Sequence, residues 1–312
     1  MSKINLYWPV YKNLEKEVLE LSYHIHFCDK QCGVYSVQIA ELLIRCAVEV
    51  ESISKALYQA EGGNMSPVDG SGNSRDLYYD GDCLEFLDLR WKLGEKQVIL
   101  VAPSMYFEKD DNRVFTPLKS AHNGNQRWQK AYQSVKHSRV EKLHKASVEM
   151  LLRAMAALYL LNIYYKDERI DFNRGDFLTL SNHFDISSDS DIFSVKCSFV
   201  SIPSQKPKDE KEEYCGSHFA SSVYLRIVDA GTIEREWKRI DTSIEKVLSE
   251  IDERIKKNNI EVGAETFKGK TLFDIARIIG GEQYARNVMR ETMLRIHEIK
   301  PVAVLNKGQR IY

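Results

Sequence analysis

Residues 148–165, VEMLLRAMAALYLLNIYY, put apolar side chains on every face of a helix. The run contains Glu149, Arg153 and Asn162. It is too short and too polar to cross a bilayer and reads as a buried helix. Residues 36–58 make a second demand. On a wheel of about 100° per residue, Ile39, Leu42, Leu43, Cys46, Val50, Ile53 and Leu57 fall on one face. Val37, Ile44 and Val48 form another apolar strip on the far side. A helix apolar on two sides is expected to lie sandwiched in a bundle. Glu41, Arg45, Glu49, Glu51 and Lys55 supply i,i+4 pairs along its flanks.

The rest of the first half reads as helix with interruptions. A first helix is expected over 9–27. Residues 61–76, EGGNMSPVDGSGNSRD, form a connector whose glycines lack phosphate-loop spacing. A short helix is expected near 83–91, a strand within KQVILVAPSMYF, and helix again from about 125 to 165, in one or two pieces.

The pattern changes near residue 172. DIFSVKCSFVSI and HFASSVYLRIVD alternate like two half-buried strands and are expected to form a β-hairpin across a charged loop, 203–217. An amphipathic helix follows over 232–258, then two helices divided at Gly280–Gly281. The expected fold is mainly α: a helical bundle over 1–172 and a C-terminal α+β module, hairpin plus helices, over 173–312. A chain of 312 residues can hold two such domains.

With 44 basic and 45 acidic side chains, any surface for a polyanion has to be local. The N-terminus lacks the apolar stretch of a secretory signal. Cys28, Cys32, Cys46, Cys83, Cys197 and Cys215 are then expected as reduced thiols of a cytoplasmic protein, with no membrane partner. His24, His26, Cys28 and Cys32 are zinc-ligand types, but no second ligand pair accompanies them, so neither metal nor cofactor is expected.

The local basic surface lies at 127–145. Six Lys or Arg face one Glu there, with two His besides. Arg127, Lys130, Gln133, Lys142 and Lys145 are candidate phosphate contacts. In a continuous helix Trp128, Tyr132, Val135 and Arg139 share one face. Gln133, His137, Val140 and His144 share another, with Lys136 between. Arg139 would then lie along the apolar stripe and need a carboxylate, for which Glu49 is the candidate. A histidine beside Lys136 and an arginine can move a proton at neutral pH while the cations stabilise a charged phosphorane. His137 is thus the candidate general acid/base, Lys136 and Arg139 the phosphate stabilisers and His144 the second histidine. Solvated basic helix ends are common, and the competing reading is a non-catalytic face that docks RNA, a nucleotide or an acidic protein.

Trp128, Tyr132, Gln133, Lys136, His137 and Arg139, followed by an Ala/Leu-rich helix, resemble the HEPN superfamily. The branches most similar read roughly Asn-x2-Lys-His-x-Arg. The 36–58 helix, with Arg45 and its flanking acids, resembles the earlier core helix of that bundle, and the likeness spans roughly 10–165. The resemblance implies a helical bundle that forms a homodimer. It also implies, for many members, metal-independent endoribonuclease activity in bacterial toxin–antitoxin or phage-defence systems, with a protein partner or antitoxin. Their site combines an Arg-x4-6-His motif from each of two protomers; other members lack it and serve as binding or assembly modules. Here Tyr132 stands where the arginine before His137 would be, and Gln133 is close to the usual Asn. Arg139 and His144 fit the spacing instead, yet point about 140° apart in an unbroken helix.

Overall fold

The computed structural model describes residues 5–173, 183–200, 219–228, 230–259, 267–295 and 300–308. Cys215 and the charged loop 203–217 lie outside them. Helix α1 spans Tyr7–His24, α2 Val37–Ala60, α3 Glu85–Trp91, α4 Asp110–Arg113, α5 Arg127–His137, α6 Arg139–Lys142 and α7 Val148–Lys166. Two long helices follow, α8 over Ala230–Lys257 and α9 over Leu272–Thr292. The strands are β1 Val98–Leu100, β2 Val114–Phe115, β3 Ile170–Asp171, β4 His183–Ile186, β5 Phe193–Phe199, β6 Tyr224–Val228 and β7 Pro301–Leu305. The chain is mainly α with an α+β part.

The apolar girth of α7 has a direct explanation. From Val148 to Tyr164 every side chain except Glu149 and Arg153 is buried. One side of α7 packs against α2, α1 and α5. The other meets the sheet region: Tyr159 stacks on Phe193 at 5.7 Å, and Tyr164 donates to the Asn306 carbonyl at 2.8 Å. Asn162, buried in mid-helix, returns its amide to the Leu158 carbonyl at 3.0 Å. Helix α2 starts where Ser36 accepts the Ile39 N–H at 3.1 Å, which satisfies one otherwise orphaned donor.

All seven strands form one sheet, ordered β2-β1-β5-β6-β7-β3 with β4 paired to β5. Strand β1, from the first half of the chain, pairs antiparallel with β5. Strand β3 at 170–171 pairs antiparallel with β7 at the far end. Sheet and main core therefore run across the boundary expected near residue 172. A second, smaller core lies between α8 and α9, where Val247 and Ile251 meet Ala276, Ile279, Ala285 and Val288.

The expected hairpin is corrected. Strands β5 and β6 pair in parallel, Cys197 opposite Tyr224 and Phe199 opposite Arg226. Strand β5 has its antiparallel partners in β1 and β4, and β6 has its own in β7. A parallel pair needs a crossover connection rather than a tight turn, and residues 200–223 are long enough to supply one. The expected break at Gly280–Gly281 is present: Gly281 has φ 77° and ψ 179° within α9, a conformation open to glycine alone.

The sandwiching expected for α2 is corrected too. Its main apolar face is buried, but Val37 is 54% and Val48 47% exposed, with Ile44 partly buried.

A candidate anion-binding face

Helix α5 buries Trp128, Gln129, Ala131, Tyr132 and Val135 and turns Arg127, Lys130, Gln133, Lys136 and His137 outward. Trp128 is fully enclosed and donates Nε1–H to the Pro117 carbonyl at 2.9 Å. Gln129 donates to the Tyr79 hydroxyl at 3.1 Å and the Ala121 carbonyl at 3.0 Å. These contacts fix the rotation of α5 and therefore which residues face water.

Tyr132, where the resemblance would place an arginine, is buried. Burial, with Glu51 nearby, pushes its phenol pKa up, so it stays neutral. Lys136 Nζ lies 5.4 Å from the centre of its ring.

The helix does not continue past His137. Ser138 adopts φ −149° and ψ 67°, and its N–H still reaches the Ser134 carbonyl at 3.0 Å. A one-turn helix, α6, restarts at Arg139 and a 3-10 turn covers Leu143–Lys145. The break removes Arg139 from the buried stripe. Its side chain is 44% exposed, and its guanidinium lies 3.5 Å from Glu41 rather than pairing with Glu49. The expected Arg139–Glu49 pair is thus corrected, because it assumed an unbroken helix. Arg45 goes to Glu17 of α1 at 2.6 Å. Glu49 is half-buried, and burial raises its carboxyl pKa against the lowering effect of Arg45.

Arg127 is also committed. It holds Glu149 through both guanidinium nitrogens, Nη2 at 3.0 Å, and Glu149 accepts from Arg153 at 2.9 Å. His144 meets Tyr35 edge-on at 6.4 Å between ring centres. His137 is exposed and has no hydrogen bond or ion pair among the described residues. Lys130, Lys142 and Lys145 are exposed in the same way and make no ion pair there. Val140, between them, is 97% exposed.

The arrangement is a cationic strip, with Lys130, Lys136, His137, Lys142, His144 and Lys145 facing solvent. Tyr35, Glu41 and Glu149 complete its surroundings, and sequence reasoning missed all three. Glu149 had one readable signal, its i,i+4 spacing to Arg153; Tyr35 and Glu41 join the strip only through tertiary contact. Among the described residues no group of three or more His, Cys, Asp or Glu is placed to hold a metal ion. None of the described helices is long and apolar enough to cross a membrane. No family model, curated protein or solved structure matches the chain.

Proposed function

We propose that residues 127–145 form a face that binds RNA through its phosphates, on a HEPN-like helical scaffold. The observation that carries this reading is the set of exposed lysines, Lys130, Lys142 and Lys145, with no carboxylate partner among the described residues, in a chain of net charge −1. Unpaired cations close together raise the local anion concentration and release counterions on contact with a phosphate backbone. Lys136 and Gln133 add donors from α5, while Arg127 and Arg139 are partly neutralised by Glu149 and Glu41.

A second reading is favoured by the break at Ser138. It leaves His137 at the end of one helix and Arg139 at the start of the next, both exposed. In a homodimer that apposes two such breaks, His137 would act as general acid/base on a ribose 2′-hydroxyl. Lys136 and Arg139 would stabilise the phosphorane, with His144 contributing from the adjoining turn. This is a metal-independent endoribonuclease of toxin or phage-defence type.

Labelled RNA incubated with the purified chain in EDTA tests both. Binding that weakens steeply with salt, without cleavage, supports the binding face. Cleavage abolished by His137→Ala supports the enzyme. Absence of both rejects the two readings together.

A further inference from the structure

The turn at residues 28–32 holds a pair of thiols that the anion-binding face does not use. Cys46, Cys83 and Cys197 are buried, and desolvation pushes each of these thiols up to about 12. Cys28 and Cys32 are both half-exposed, at either end of the 3-10 turn Asp29–Gln31. Cys32 Sγ turns back along the turn to within 3.7 Å of the Cys28 carbonyl oxygen. The turn is pinned from outside. Asp29 accepts the Glu108 N–H at 2.9 Å and the Asn112 amide at 2.7 Å, and the Cys28 backbone bridges to Tyr106. The Cys32 carbonyl accepts the Glu149 N–H at 3.1 Å. Two partly exposed thiols thus flank one pinned turn, four residues apart, with the Cys32 sulfur turned back towards Cys28.

We propose that Cys28 and Cys32 are a dithiol that a hydroperoxide closes to a disulfide. The Cys28 thiolate attacks one peroxide oxygen; the O–O bond breaks, and with hydrogen peroxide one water leaves and Cys28 becomes a sulfenic acid. The Cys32 thiol attacks that sulfur; the S–S bond forms, the S–O bond breaks and a second water leaves. The two thiols lose two electrons and the peroxide gains them. Cys32 is the resolving partner, because burial, Glu149 and Asp29 push its thiol pKa up and disfavour its thiolate.

The test uses the full chain carrying Cys215→Ser, treated with hydrogen peroxide, alkylated, and read by intact mass and peptide mapping. Cys28 and Cys32 are expected to lose alkylation together, with a mass loss of two hydrogens, reversed by a dithiol reductant. Cys46, Cys83 and Cys197 are expected to stay reduced. Cys32→Ser is expected to stop at a Cys28 sulfenic acid trapped by a dimedone probe, and Cys28→Ser to leave Cys32 unmodified. Persistent alkylation of both thiols, over-oxidation of Cys28 in the parent chain, or a disulfide to any other cysteine overturns the proposal. The readout is independent of RNA binding.

Discussion

Ser190 Oγ donates to Glu15 Oε1 at 2.5 Å and thereby ties the first helix to the start of β5. Glu15 is 1% exposed. The same oxygen accepts from the Tyr11 hydroxyl at 2.9 Å and from the Asp191 and Ile192 N–H groups at 3.0 and 3.2 Å, while Lys12 pairs with the other oxygen. A carboxylate this enclosed is tolerated because every side of it meets a donor. Glu15→Ala strands those donors, and we expect it to cost about 3–5 kcal/mol. Ser190→Ala removes one donor and is expected to cost about 1–3 kcal/mol. Urea unfolding checks both, and equal costs would mean that the backbone donors carry little of the tie.

The basic strip makes a graded prediction about salt. Lys130, Lys142 and Lys145 are exposed and have no ion pair among the described residues. If each neutralises one phosphate, each Lys→Ala lowers the slope of log K against log salt by about 0.7 for single-stranded RNA. The triple replacement is then expected to lower it by about 2. Lys16 on α1, which pairs with Glu20 at 4.0 Å, serves as a control whose replacement leaves the slope unchanged. Fluorescence anisotropy at several salt concentrations measures these slopes. A triple variant with the parental slope would place the phosphate contacts elsewhere.

Residues 148–165 were legible because a helix apolar on all sides has few places to go. What the pattern could not say was that residues of the sheet region would meet its other side. Residues 193–199 and 224–228 were legible as strands, but alternation has the same period in parallel and antiparallel pairs, so their pairing was not. The break at Ser138 left little local trace, since Lys, Arg and Glu around it are good helix formers. Tertiary contacts accompany it: Val148 N–H reaches the Val34 carbonyl at 2.9 Å, and Tyr35 bridges to Ser147. The chain has to leave the axis of α5 to get there. Glu149 and Arg127 lie 22 residues apart, beyond any helical spacing rule.

Lys96 gives a prediction about pH. Its side chain is buried, and its ammonium donates to the Ala220 carbonyl at 3.1 Å. Desolvation lowers its pKa to about 8. A lysine depressed in the folded state binds fewer protons there than in the unfolded chain between that value and its ordinary one near 10.5. Its contribution to stability therefore improves as pH rises through that window, and its penalty is fully present below about 8. Lys96→Met removes the titration. Relative to this variant, the parent is expected to gain on the order of 1–3 kcal/mol between the two ends of the window. Thermal unfolding of both proteins across that range checks it, and parallel pH profiles would contradict it.

The last prediction separates the two readings of the strip at one residue. His137 is exposed and lacks a carboxylate or carbonyl to set its tautomer among the described residues. For the binding face, His137→Ala is expected to change RNA affinity less than about threefold, because the phosphate contacts rest on the lysines. For the ribonuclease, affinity stays level while cleavage in EDTA falls by about 100-fold or more, since removing a positioned general base costs at least that much. The two measurements on one variant, affinity and cleavage rate, therefore assign His137 to one role. Cleavage that survives His137→Ala would send the search to Arg139 and His144, the pair that fits the spacing but has different partners, Glu41 and Tyr35.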